Sequence, residues 1–268
     1  MWQGFVKWFY QMASLPLFYT KIVPWMRGCG FAGASLLCVG LMWGLLFAPA
    51  DYQQGDSFRI IYIHVPAASL AMSIYVLLAL WGLIFLIWRI KLVDIFAQAL
   101  APLGATSCAI ALITGALWGV PTWGAPFAAD ARILSMAFLL MLYIGLLLVR
   151  AQIKPLAKAQ QLVSVIAIVG VLNVPIIKYS VEWFTTLHQG ATFTLTEKPK
   201  MPPSMYLPLL CSVLGTYLCM FSWLFSQARR VCLMREADKR WVQAWLVQQL
   251  DSEHAATSQA SQDPGVIQ

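Results

Sequence analysis

Charge is scarce in this sequence. Asp, Glu, Lys and Arg make up 11% of its 268 residues, where soluble domains carry roughly a quarter. That shortage excludes an ordinary soluble fold. Histidine is scarcer still, at three residues. No Cys-x-x-Cys pair occurs among the six cysteines, so thiol redox chemistry has no support, and they read as small apolar residues. A Gly-rich phosphate loop ending Gly-Lys-Ser/Thr is also missing, which leaves any ATP hydrolysis to a partner. The N-terminus, with one early Lys, scattered aromatics and Pro16, lacks a clear small-residue cleavage site. Internal repeats are not evident.

Apolar residues, by contrast, fill 60% of the chain, and the mean hydropathy is +0.71. Runs long enough to cross about 30 Å of hydrocarbon recur. They predict an all-α integral membrane protein with six spans, at roughly 24–47, 61–88, 95–117, 132–149, 160–177 and 205–227. Residues 1–23 form an aromatic interfacial segment and 24–227 the membrane domain. Residues 228–250 read as a basic surface helix, and 251–268 as a disordered polar tail. The net charge of +7 calls for no nucleic acid, because in a membrane protein cations report orientation. Thirteen of the eighteen Lys and Arg fall on one side of these spans; only Arg59, Arg132, Lys178, Lys198 and Lys200 fall on the other. The first side is therefore cytoplasmic, with both termini inside, and none of the cysteines sits squarely in an outer loop, so a disulfide framework is unsupported.

Two histidines fall on the outer side. His64 precedes Val65-Pro66 at the head of a span, where Pro is favoured in the first helical turn. His188 lies in "EWFTTLHQG"; a short helix over 180–188 would place Glu182, Thr185, Thr186 and Gln189 near it. Taken singly, one reads equally as an interfacial residue and the other as a solvated loop histidine. Taken together, two imidazoles from separate segments suit an axial pair on a flat macrocycle, whereas zinc calls for a third or fourth ligand. Arg59 and Arg132 could fork onto carboxylates or serve as interfacial anchors. Trp118, Trp123 and Phe127 offer flat faces for a macrocycle, though an aromatic belt explains Trp118 equally well. Gly119 and Gly124 permit tight turns, and Asp130 stands at N-cap spacing before Arg132-Ile133-Leu134.

These segments, in this order, resemble a known family. "FAPADYQQGDSFRIIYIHVPAA", "WGVPTWG" followed by "DAR", and "LNVPIIKYSVEWFTTLHQG" are similar to CcmC, the haem-handling membrane protein of bacterial cytochrome c maturation. The similarity covers about residues 20–227. It implies a protein of the bacterial cytoplasmic membrane that binds b-type haem non-covalently at the outer face, with His64 and His188 as axial ligands to the iron. It implies support from the Trp-rich segment and delivery to the periplasmic haem chaperone CcmE. It further implies work beside the transporter subunits CcmA and CcmB and the small membrane protein CcmD, in contact with membrane lipid, and not as an enzyme. The family segment reads like Trp-Gly-x-Trp-Trp-x-Trp-Asp; here Pro126, Phe127 and Ala129 replace the three central tryptophans, which removes stacking area.

Two other classes compete. A membrane electron-transfer cytochrome would place paired histidines within its spans, and these spans have none at mid-depth. A cofactor-free secondary transporter would show polar residues near the midplane, and none of the spans carries an Asp, Glu, Lys or Arg there. The charge asymmetry makes a direct prediction. A periplasm-dependent reporter fused after Gln189 should be active and one fused after Lys154 silent; the reverse pattern would overturn the orientation.

Overall fold

The computed structural model describes residues 14–127, 130–184, 188 and 201–262, with 253 and 255–262 as backbone alone. Among them, six helical segments are long and apolar enough to cross a membrane: Val23–Phe47, Asp56–Trp88, Lys91–Trp123, Ala131–Gln152, Leu156–Trp183 and Pro203–Arg235. Each overlaps one of the six expected runs. Hydrocarbon offers no water to unpaired backbone groups, so apolar runs of this length resolve as helices.

The elements in chain order are α1 (Leu15–Lys21), α2 (Val23–Met42), α3 (Ile61–Trp88), α4 (Lys91–Trp123), α5 (Ala131–Gln152), α6 (Leu156–Gly170), α7 (Asn173–Trp183), α8 (Pro203–Arg235) and α9 (Arg240–Gln262). A π-helical turn, Trp43–Phe47, extends α2, and a 3-10 turn, Asp56–Ile60, leads into α3. The fifth crossing is broken between α6 and α7. Pro175 has no N–H to give Val171, whose carbonyl is taken instead by the Val174 N–H at 3.0 Å. Buried Asn173 donates to the Ser135 carbonyl at 2.8 Å and pins the break against α5.

Small residues and tyrosines hold the bundle together. A Cβ added at Gly33, Gly40 or Gly215 would collide with backbone of Cys219, Ser212 or Leu37, so α2 and α8 pack backbone to backbone. Tyr62, Tyr75 and Tyr143 are fully buried. Tyr143 donates to the Ala71 carbonyl at 2.7 Å and Tyr62 to the Met205 carbonyl at 3.1 Å, so each ring fills space while its hydroxyl is satisfied.

Several elements differ in extent from the runs read in the sequence. Pro66 lies inside α3, beyond its first turn, because the 3-10 turn starts the helical path at Asp56. Residues 118–123, expected as loop, are the last turns of α4. A single helix over 180–188 does not form: α7 runs to Trp183, and Phe184 is extended (φ −129°, ψ 155°). Thr185, Thr186 and Gln189 lie outside the described residues. The basic stretch 228–250 is divided between the end of α8 and the start of α9, with the break at 236–239. The polar tail is helical to Gln262, in keeping with its Ala and Gln content; residues 263–268 lie outside the described set.

The end of the bundle away from the histidines carries a feature that the sequence did not announce. Asp94, in the first turn of α4 and 3% exposed, accepts from Arg235 Nη1 of α8 at 2.6 Å and Gln160 Nε2 of α6 at 2.6 Å. It also accepts from Arg150 Nη2 of α5. One carboxylate thus joins four helices, with an acid in a first turn and both arginines in last turns, as helix dipoles favour. Removing one member of a buried ion network leaves the others uncompensated, at a cost of about 3–5 kcal/mol. Asp94→Ala should therefore lower the unfolding temperature of the detergent-solubilised protein sharply, and an unchanged transition would contradict this role.

Candidate functional site

The start of α3, the end of α4, the start of α5 and the residues after α7 meet at one end of the bundle. His64 sits one turn into α3. Its Nδ1 lies 3.1 Å from Thr114 Oγ1 on α4. Room for the ring comes from Gly115, where an added Cβ would stand 3.0 Å from His64 Cε1. The edge of Trp118, one turn further along α4, meets the imidazole at a centroid distance of 5.8 Å and an angle of 76°.

Trp118 is itself held in place. Its indole Nε1 donates to Gln54 Oε1 at 2.7 Å, and Phe58 packs on it edgewise. Gln54 belongs to a tight turn in which Asp51 Oδ1 accepts from the backbone N–H groups of Gln53 and Gln54, both at 2.9 Å, and Gly55 takes a positive φ of 57°. The "DYQQG" stretch therefore aims a side chain at the indole.

His188 is placed from the other side. Its Nδ1 is 3.1 Å from Asp130 Oδ1, and the two side chains are 17% and 1% exposed. This contact is close but off the ring N–H axis, so it is an approach of a polar ring to a carboxylate more than a formed hydrogen bond. Trp123, the last residue of α4, meets the imidazole at 4.8 Å and 62°. Gly124, in the left-handed region at φ 75°, ends α4 just beyond it and donates its N–H to the Val120 carbonyl. Gly119 is helical and serves close approach, not a turn: an added Cβ there would press on the Ala125 carbonyl and the Trp123 ring. Asp130 also caps α5 as its spacing predicts, accepting from Arg132 N at 2.8 Å.

The structure brings His64, Trp118, Trp123, His188 and Asp130 to one end of the bundle, with the two histidine–tryptophan contacts on successive turns of α4. The arginines have protein partners. Arg132 Nε donates to buried Ser180 Oγ at 3.1 Å, and its Nη2 reaches the Lys178 carbonyl at 3.4 Å, tying α5 to α7. Arg59 donates through Nη1 to the Leu45 carbonyl and pairs with Asp56 at 3.1 Å. Phe127 stands apart: it is 64% exposed and makes no ring contact with either histidine among the described residues. Ala129 lies outside the described residues. Thr114, Gly115, Gln54 and Ser180 were not singled out from the sequence. The available signal was spacing, because Thr114 and Trp118, and Gly115 and Gly119, are pairs four apart on α4.

The fold and site define a class: a polytopic helical membrane protein with two imidazoles and two tryptophans gathered at one end. Comparison with known proteins narrows it. Residues 8–243 match the family model CcmC, "Heme exporter protein C". The chain is 39% identical over 236 residues to "Heme exporter protein C" of Escherichia coli (strain K12), covering 87% of this chain and 94% of that protein. It is 40% identical over 234 residues to the protein of that name from Haemophilus influenzae, covering 84% and 95%. A third, from Bradyrhizobium diazoefficiens, is 36% identical over 225 residues, covering 84% and 82%. The chain belongs to the haem exporter protein C family.

Burial lowers the pKa of His188 below the ordinary imidazole value of 6.5; Asp130 opposes that shift and Arg132 adds to it. The ring is thus neutral at pH 7, with a nitrogen lone pair available. On acidification the unfolded chain takes up this proton before the folded one, so the group's contribution to stability is lost as pH falls below 6.5. Histidine NMR on ligand-free protein should show His188 titrating below 6.5. Asp130→Asn should move that titration lower still, since it removes the group that raises it.

Proposed function

We propose that this protein binds b-type haem non-covalently at the outer face of the bacterial inner membrane and passes it on for cytochrome c maturation. The observation that carries this reading is the convergence of His64 and His188, from separate elements, with each Nδ1 3.1 Å from a protein oxygen. Among the described residues no three of His, Cys, Asp and Glu gather as a metal site. A metal held here would need most of its coordination sphere from elsewhere, and a porphyrin supplies four nitrogens. His64 and His188 would supply the remaining ligands to the iron.

The remaining residues fit that cargo. Trp118 and Trp123, set edge-on to the two imidazoles, border a flat apolar ligand. Arg132, near the start of α5, and Arg59, in the turn that leads into α3, each have a guanidinium partly engaged and would pair with propionates through their remaining N–H groups. Asp130 acts through His188. Phe127, mostly exposed, and Pro126 offer a surface at the rim, where the supporting platform is thinner than a tryptophan-complete segment would make it. The charge asymmetry of the sequence and the family membership support an outer site, cytoplasmic termini, and delivery to the chaperone CcmE beside CcmA, CcmB and CcmD. Binding and release of a cargo, with no bond made or broken in a substrate, describe a carrier and not an enzyme.

The test is spectroscopic. Purified protein should show a haem Soret band. His64→Ala and His188→Ala should each weaken haem retention and shift the spectrum, while replacing His254 should do neither. An unchanged spectrum in the double variant would rule out the axial pair.

A further inference from the structure

We propose that Thr114 is a positioning residue for haem. Its hydroxyl fixes His64 in the tautomer that carries hydrogen on Nδ1, so that Nε2 faces the ligand with its lone pair free. The proposal rests on the haem reading above and adds a residue to it.

The argument is one of proton counting. A threonine hydroxyl has one hydrogen to donate and lone pairs to accept with. Thr114 Oγ1 lies 2.7 Å from the Ile110 carbonyl one turn back on α4, and 3.3 Å from the Ala111 carbonyl. Both are acceptors only, and the 2.7 Å bond to Ile110 is the shortest the hydroxyl makes, so its hydrogen goes to the helix backbone in preference to His64. His64 Nδ1, at 3.1 Å from the same oxygen, is then assigned as the donor. A neutral imidazole protonated at Nδ1 has its lone pair on Nε2. Gly115, beside Thr114, leaves room for the ring in this pose, because a side chain there would press on Cε1.

The same count holds across the site by different chemistry. A carboxylate accepts and does not donate, so Asp130 Oδ1 at 3.1 Å favours hydrogen on the facing His188 Nδ1 by charge, without the aligned hydrogen bond that Thr114 makes. Both ligands thus offer Nε2, one set by a neutral hydroxyl and the other by a carboxylate. Partners of this kind fix the tautomer and ring orientation of metal-binding histidines.

The experiment uses full-length protein in detergent with 15N-labelled imidazoles, first without haem and then with haem added. In the haem-free protein the 15N shifts of His64 should show hydrogen on Nδ1. Thr114→Val, which keeps the shape and removes the hydroxyl, should populate the Nε2-protonated form and lower haem affinity by about 10–100-fold. Thr114→Ser, which restores the hydroxyl, should return both readouts to wild type. Hydrogen on Nε2 of His64 in the wild type overturns the proposal, whatever the variants do. So does a Thr114→Val protein with wild-type tautomer and affinity. Wild-type protein with the expected tautomer but no Soret band after haem addition would overturn the haem reading alone.

Discussion

The bilayer's intolerance of unpaired polar groups shapes everything else in this molecule. In hydrocarbon a free N–H or carbonyl costs several kcal/mol, so the chain crosses as helices and concentrates its chemistry at their ends. Several polar side chains that enter the bundle are paired there. Tyr143 and Tyr62 give their hydroxyl hydrogens to backbone carbonyls, and Asn173 pins the break in the fifth crossing against α5. Asp94 meets two arginines and a glutamine at the end away from the histidines.

The same constraint gives the histidine end its precision. Four of the side chains proposed to touch cargo are each held or faced by another that does not. Gln54 fixes Trp118, Thr114 fixes His64, Asp130 faces His188, and Ser180 secures Arg132. The supports come from a turn, from α4, from the cap of α5 and from α7. Movement of one helix would therefore disturb several ligand-facing groups together. A carrier must release what it binds, and a site assembled from separate elements can open by small shifts among them.

Much of the architecture was legible in the sequence because apolar length is a strong signal. The six runs could be counted, and Asp130 could be recognised as a cap from its spacing to Arg132. The two histidines stood out through the poverty of polar residues around them. What escaped notice was contact between elements. Helix α4 continues through Trp123 because Gly124, not the apolar pattern, terminates it. Hydropathy gave no reason to expect the break at Pro175 to continue as α7, carrying the chain to His188. Thr114 looks like any small residue in a span until its distance to His64 is known. Asp94, Arg150 and Arg235 are far apart in sequence and become a unit only when four helices pack.

The central claim is that His64 and His188 together hold one haem iron. Pulsed electron paramagnetic resonance on the ferric haem complex, prepared with 15N-labelled histidine, tests it most directly. The account predicts a low-spin signal with hyperfine coupling to nitrogens of two imidazoles. A signal coupled to one imidazole or none would contradict it.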